Sequence, residues 1–387
     1  MKLLGYSVKN SFARKLTSGL TVLGVALVVF VFCAVLMLSN GLQTTLVATG
    51  SDNNAIVIRR AATTEIVSIV SREMADIVKA DAGVAREADG TAKFTSEVVV
   101  LINQPKRSNN EPSNVPVRGV NDMSLKIRPN VKIVKGRMWR PGTSEIIAGR
   151  KVAATFQGCG IGETVRFGMR DWTIVGLFEA NNTGFESELW GDIDQLMAAF
   201  ERPVFSSLTF ELALGRSITE VENRLENDPR LTVDVMPEKE YYRLQSQSFT
   251  RFISILGLAI SIIFSLGAIV GAMITMYAAV ANRTVEIGTL RALGFSRGSV
   301  LTAFLAEALF ISIVGGLIGI GLALLLQFVE VSTTNWDSFS EVAFSFKMSG
   351  GIATSALIFS IVMGIIGGFL PAVRAGRLRI VNALKAR

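Results

Sequence analysis

Arg283, Glu286, Arg291 and Arg297 stand within one stretch of 19 residues, Asn282–Val300, between two long apolar runs. The chemistry open to these side chains is ion pairing and docking, not bond breaking. Charged groups cannot rest in hydrocarbon, so the stretch is a surface connection at a membrane face. Ile287, Leu290 and Leu293 recur every third position, close to one stripe of a short helix. A membrane protein that places such a helix at its cytoplasmic surface offers a docking element to something soluble. Covalent catalysis has little to work with. The 387 residues include no histidine and only two cysteines. The usual zinc and haem ligand sets are therefore absent, and Ser-His-Asp and Cys-His catalysis is excluded. A Ser-Lys or carboxylate-pair enzyme stays open, although no spacing argues for one. Cys33 lies in the first apolar run and Cys159 far from it, so no intrachain disulfide is expected, and Cys159 before Gly160 reads as a small core or turn residue. The expectation is a chain with no catalytic residue, no metal ligand and no cofactor of its own.

The elements that must hold these charges follow from composition. Half the residues are apolar, 18% are charged, and the mean hydropathy is +0.44. That is too apolar for an ordinary soluble enzyme and too charged for a chain wholly in lipid. The net charge of +7 gathers beside the apolar runs without interleaved aromatics, which favours a membrane surface over nucleic acid. Four spans are predicted: Leu20–Leu38, Phe252–Val280, Val300–Val329 and Gly351–Val373. At about 1.5 Å per residue the first nearly crosses a ~30 Å hydrocarbon core. Its apolar run is longer than that of a secretion signal, and Ser39-Asn40-Gly41 is a poor cleavage site, so an uncleaved anchor is expected. Gly267 and Gly271, Gly315 and Gly319, and Gly364 and Gly368 have GxxxG spacing, which suits close helix packing or reflects the frequency of glycine in membrane helices.

Charge sets the orientation. Lys2, Lys9, Arg14 and Lys15 precede the first span, and Arg374, Arg377, Arg379, Lys385 and Arg387 follow the fourth, with no acid among either group. The connection between the third and fourth spans is net acidic, with Glu330, Asp337 and Glu341 against Lys347. Basic segments belong inside. Both termini and the 282–299 helix are thus expected in the cytoplasm, and residues from about 41 to 250 outside. Glu307 is the one acid well inside an apolar run; it reads equally as a pairing site at the cytoplasmic end of the bundle or as a snorkelling carboxylate.

The predicted fold class is an α-helical membrane protein with four transmembrane helices and a large α/β extracytoplasmic domain between helices 1 and 2. Residues 1–40 form the N-terminus and first span, 41–250 the exterior domain, and 251–387 the remaining spans, the cytoplasmic helix and the tail. Within the exterior domain, 41–95 and 205–250 form an α/β base, and 96–204 a β-rich lobe. The base is read from a strand at Ala55–Arg59, a helix at Glu65–Lys79, a strand at Ser207–Leu214, a helix at Ser217–Asn227 and a strand at Leu231–Val235. A polar helix from Pro237 runs into the second span. In the lobe, strands are expected at Glu97–Asn103, Val115–Val120, Lys132–Val134, Glu145–Ala148, Thr164–Phe167 and Thr173–Phe178, with a hairpin turn at Gly168-Met169-Arg170-Asp171. Gln104–Pro116, polar and proline-containing, is expected to be a mobile loop.

These residues resemble the MacB/FtsX-like permeases, the membrane subunits of ABC systems named for macrolide exporters. The family segment R-x-x-E-I-G-x-x-R-A-x-G stands here as Arg283, Glu286, Ile287, Gly288, Arg291, Ala292 and Gly294. The family's F-L-x-E-A is matched by Phe304, Leu305, Glu307 and Ala308, followed by Gly315-Gly316, and its G-x-x-P-A-x-R-A by Gly368, Pro371, Ala372, Arg374 and Ala375. Glu145–Ala154 with Gly162, Val175 and Gly176 is similar to the family's extracytoplasmic module. The resemblance implies ATPase coupling through Arg283, Glu286, Ile287, Gly288, Leu290, Arg291, Ala292, Leu293 and Gly294, a permease homodimer, and mechanotransmission without a substrate tunnel. Pro371 and Arg374 carry the C-terminal motif. No G-x-x-x-x-G-K-[ST] phosphate loop occurs in the sequence, so ATP is expected to be bound by a separate ATPase subunit. The localisation implied is the bacterial inner membrane, in contact with its lipids. Export with a periplasmic adaptor and an outer-membrane duct, lipoprotein release, and FtsX-like signalling to cell-wall hydrolases are the candidate functions. The size of the exterior domain argues against signalling.

Overall fold

The computed structural model describes residues 15–335 and 339–378. The orientation argument drew on Lys2, Lys9, Arg14, Arg379, Lys385, Arg387 and Asp337, all of which lie outside the described residues. The chain divides into two compact units. Among the described residues, one is helical and comprises those up to Gly41, Arg251–Val329 and those from Ser345; the other is α/β and comprises Leu42–Thr250 with those of Glu330–Phe344.

Among the described residues, four helices are long and apolar enough to cross a membrane. They run Lys15–Val47, Glu238–Asn282, Arg297–Leu324 and Gly350–Arg377, each at a predicted apolar run. The second is a single helix of 45 residues, about 68 Å at 1.5 Å per residue, more than twice a ~30 Å hydrocarbon core. Its polar beginning runs unbroken into the apolar part, as the sequence predicts. Hydroxyls join the helices: Thr21 and Thr275 share a hydrogen bond of 3.0 Å, Ser39 and Ser254 one of 3.0 Å, and Ser312 Oγ donates to the Ser360 carbonyl.

The three GxxxG pairs separate into two kinds. A Cβ on Gly315 would lie 2.8 Å from the Val22 carbonyl oxygen, and one on Gly319 2.6 Å from that of Ala26, so the third helix rests on the first through backbone. A Cβ on Gly364 would lie 2.6 Å from that of Ser312, and one on Gly368 would strike Ala308, which sets the fourth helix against the third. Gly267 and Gly271 meet nothing within 4 Å.

The α/β unit contains β1 (Asn54–Arg59), β2 (Phe94–Pro105), β3 (Pro112–Val120), β4 (Lys132–Gly136), β5 (Glu145–Gly149), β6 (Thr164–Phe167), β7 (Arg170–Glu179), β8 (Leu189–Asp192), β9 (Ser207–Glu211) and β10 (Val233–Pro237). They form one sheet ordered β10-β1-β9-β2-β3-β8-β5-β7-β4, with β6 paired to β7. β10, β1, β9 and the first residues of β2 pair antiparallel. With the helices Arg72–Ala80 and Ile218–Glu226 they make a βαββαβ arrangement of the ferredoxin-like kind. Every residue of β1 but Arg59 is buried, as a central strand requires. β2 belongs to both halves of the unit: Phe94–Glu97 pair with β9, and Val98–Pro105 with β3. Gly168 and Met169, at φ 54° and 57°, join β6 to β7 at the predicted turn, since a two-residue hairpin of this type needs positive φ at both positions.

Two expectations are corrected. The helix expected from Glu65 begins only at Arg72, because the Glu65 carboxylate is drawn to Arg118 Nη1 at 2.8 Å and Val70 exchanges backbone hydrogen bonds of 2.9 Å with Phe205. Gln104–Pro116 is not a free loop, since β2 and β3 pair as far as Pro105 opposite Pro112. Pro116 is tolerated where pairing of β3 to β8 has not begun, which it does at Val117. The acidic connection between the third and fourth long helices is a hairpin, β11 (Glu330–Thr334) and β12 (Glu341–Ser345). Buried Glu341 accepts from Lys106 Nζ at 2.8 Å and from Ser113, and Lys151 Nζ donates to the Ala343 carbonyl at 2.9 Å. β8 and the helix Ile193–Ala199 are additions that sequence patterning misses.

A buried ion network crosses this unit. Arg118 on β3 pairs with Glu65, Glu97 and Glu188, and Arg128 pairs with Glu97 and with Glu238. Burial pushes the Glu97 carboxyl up, but Coulombic attraction to Arg128 and Arg118 outweighs it and holds the group below the usual carboxylate range. Stability from a carboxyl lowered in this way is fully present above the unfolded-chain value of about 4.3, and is lost as pH falls through the folded value. Unfolding midpoints followed by tryptophan fluorescence should stay level from pH 7 to about 5 and fall steadily below about 4; a level profile down to about 3 would contradict this. Among the glycines, Gly364→Leu should lower the thermal midpoint in detergent by several degrees, from an overpacking cost of about 1–3 kcal/mol. Gly267→Leu should leave it unchanged, and equal effects would refute the packing difference.

Candidate functional site

The stretch between the second and third long helices folds as the short helix Thr284–Ala292. Its end is dictated by Gly294, whose φ of +97° is open to glycine and strained for other residues. Gly294 N–H donates to the Arg291 carbonyl and Phe295 N–H to that of Leu290, each at 3.2 Å, which is a Schellman closure. Ser296 then caps the third long helix, accepting from Ser299 N–H at 3.1 Å.

Arg283 immediately precedes the short helix and fastens it from behind. Its Nε and Nη2 donate to the two oxygens of Glu286 at 2.9 and 3.0 Å, and its Nη1 to Glu307 Oε2 at 3.0 Å. The guanidinium carbon also stands 4.9 Å from the centre of the Phe304 ring. Arg291 Nη1 donates to the Gly376 carbonyl at 2.9 Å, and Gly376 itself sits against the Arg297 carbonyl. One short helix is thus tied to both the third and the fourth long helices. Glu307 is buried and paired, so of its two sequence readings the structure supports the pairing site over the snorkelling carboxylate. It also borders a cavity of about 40 Å³ together with Thr21, Thr275 and Ser312.

The predicted site residues fall into two groups. Ile287 and Gly288 are buried, Ile287 among Met276, Val280, Val300, Phe304, Ala372 and Ala375. Leu290 is half-buried and Leu293 is 73% exposed. The single stripe expected for Ile287, Leu290 and Leu293 is therefore corrected: Ile287 points into the bundle and Leu293, at the C-cap, points away from it. Arg283, Glu286, Arg291, Gly294 and Glu307 hold the element in place. Pro371 is buried inside the fourth long helix, and the Arg374 guanidinium carbon lies 5.4 Å from the centre of the Tyr277 ring. Val285, Ala292, Leu293 and Phe295 are exposed on this stretch, together with the polar Thr289, Ser296 and Arg297. Val285 and Phe295 were not singled out by sequence reasoning, although both stand beside motif positions as large apolar residues in a charged stretch.

The chain matches the model described as MacB-like periplasmic core domain over residues 18–228, and the one described as FtsX-like permease C-terminal over residues 258–380. The "uncharacterized ABC transporter permease YknZ" of Bacillus subtilis (strain 168) is 26% identical over 297 residues, covering 72% of each chain. The "macrolide export ATP-binding/permease protein MacB" of Psychrobacter cryohalolentis is 28% identical over 237 residues, 58% of this chain and 34% of that protein. The "pyoverdine export ATP-binding/permease protein PvdT" of Pseudomonas fluorescens is 39% identical over 115 residues, 30% of this chain and 16% of that one. The match thus spans about a third of the macrolide protein and less of the pyoverdine protein. With its two family matches covering both the α/β unit and the long helices that follow, the chain belongs to the MacB/FtsX-like family of ABC transporter permeases, which are membrane transport subunits.

Proposed function

We propose that this chain is the inner-membrane permease of an ABC exporter, driven by an ATPase that docks on the outward face of Thr284–Ala292. The observation that carries the reading is the two-sidedness of that element: Leu293, Phe295 and Val285 are exposed, while Arg283, Ile287 and Arg291 brace it against the helices behind. An apolar patch of this kind on a braced helix suits a protein partner. No phosphate-loop motif occurs within the 387 residues, so the nucleotide site lies outside them. Both termini and the docking helix face the cytoplasm in this reading, the α/β unit lies outside, and two copies act together.

Closure of the ATPase on ATP presses on the short helix. The Arg283–Glu307 pair passes the displacement to the third long helix, and Arg291 passes it to the fourth through the Gly376 carbonyl. The second long helix, unbroken from Asn282 back to Glu238, carries it to the α/β unit. Hydroxyl groups in the bundle bond mainly to carbonyls of their own helix, as Ser265 and Thr302 do, or to a neighbouring helix, as Ser312 does, which suits mechanotransmission better than a polar substrate path. The export names of the relatives favour export over lipoprotein release or signalling; the proposal adds a substrate taken up outside the membrane and an adaptor engaging the α/β unit.

The double variant Leu293→Asp/Phe295→Asp should cut ATPase co-purification about tenfold or more, roughly 1.4 kcal/mol, with membrane insertion intact; unchanged recovery would remove the docking face. Ile287→Asp, which buries a charge, should instead lower the amount of folded permease. For orientation, Asn110→Cys should label from outside intact cells and Ser299→Cys only after permeabilisation. The native thiols give little background, because both are buried and burial pushes Cys159 up to about 12. The opposite labelling pattern would overturn the topology.

A further inference from the structure

The first turn of the second long helix is gripped by charge. The carboxylate of Glu238, its first residue, is fully buried and accepts from Ser51 N–H at 2.9 Å, Asn54 Nδ2 at 3.0 Å and Arg128 Nη2 at 3.1 Å. One turn on, the Tyr241 hydroxyl accepts from Glu65 N–H at 2.9 Å. The Tyr242 ring meets Phe185 edge-on at 6.1 Å. Phe185 in turn lies 5.3 Å from the guanidinium carbon of Arg118 and 5.0 Å from that of Arg128. From Glu238 the ionic chain continues through Arg128 to Glu97 and through Arg118 to Glu65 and Glu188.

The position of Glu97 gives this chain its meaning. It is the last β2 residue paired to β9, and Val98 is the first paired to β3, so Glu97 marks the passage from base to lobe. A single network therefore touches the head of the long helix, the base and the lobe. Buried ion pairs are a poor source of stability, because desolvation offsets most of the attraction and apolar replacements of equal volume often do as well. What they add is direction. A guanidinium held by two carboxylates has a set orientation, whereas apolar side chains slide and change rotamer.

We propose that Glu238, Arg128, Glu97 and Arg118 form a rigid joint that makes the head of the second long helix, the base and the lobe turn as one body, so that helix displacement reaches the lobe. This rests on the mechanotransmission reading above. The residues are positioning residues for that transmission.

The test uses the full-length chain with its ATPase in nanodiscs, labelled chain diluted into unlabelled, and spin-label distances read with and without ATP and vanadate. Leu244→Cys with Met169→Cys spans the joint, both positions being exposed. Met169→Cys with Phe328→Cys, also exposed, reports movement between the two units. The intact joint should give a Met169–Phe328 shift on ATP with an unchanged Leu244–Met169 distribution. Arg128→Met should broaden the Leu244–Met169 distribution and abolish the Met169–Phe328 shift. Should Arg128→Met not fold, Glu238→Gln, which keeps the volume and removes the charge, is expected to do the same. Val221→Ala, a core change in the helix Ile218–Glu226, should lower stability and leave both distance readouts as they were. If the variants keep the ATP-dependent shift and the narrow distribution, the joint is refuted while the mechanotransmission reading stands. If the unmodified joint shows no Met169–Phe328 shift, mechanotransmission fails and the joint with it. A shift lost equally in Val221→Ala would reduce the network to a stabilising role and refute the joint.

Discussion

A guanidinium at the end of a membrane helix must find carboxylates or reach water, and Arg283 finds two. Its fork spans Glu286 in the short helix and Glu307 in the third long helix, over a Phe304 ring. This arrangement accounts for much of the local structure. It places the short helix against the bundle, which buries Ile287. Burial of Ile287 in turn leaves Val285, Leu293 and Phe295 on the far side. The Schellman closure at Gly294 then reverses the chain into the third helix.

The same division of labour shows in the residues of the family motif. Its charged and small residues are the internal braces: Arg283 and Arg291 reach neighbouring helices, Gly288 is buried, and Gly294 supplies a left-handed residue. The exposed apolar residues Val285, Leu293 and Phe295 stand between or beside them, and on the reading proposed above they are the ones that meet a partner.

Much of the architecture was legible in the sequence where the signal runs along one dimension. Long apolar runs gave the four helices, alternation gave most strands, and Gly168-Met169 gave a turn. What was not legible depends on partners far along the chain. Glu65 reads as a helix-former until Arg118, 53 positions away, claims its carboxylate. Gln104–Pro116 reads as a loop until β3 is known to pair with β2. Glu341 reads as a topology charge, yet Lys106 and Ser113 hold it in a hairpin packed on the sheet. On the docking element, three-residue spacing suggested a common stripe, but Leu293 is the C-cap and leaves the helical register there.

The strand that runs from base to lobe has a consequence for how the protein is made. The base needs β9 and β10, and these follow β2 by the entire lobe. During synthesis, β1 therefore waits with both edges unpaired while the chain from Arg59 to Ser207 emerges. In the lobe, β2 with β3 and β6 with β7 pair neighbours in sequence while the other pairings are longer-range, and every lobe strand precedes β9. Loop-closure entropy grows only slowly with insert length, so a long insert weighs more on the time for which β1 is exposed to aggregation than on final stability. Truncations that end inside the lobe leave that strand permanently bare.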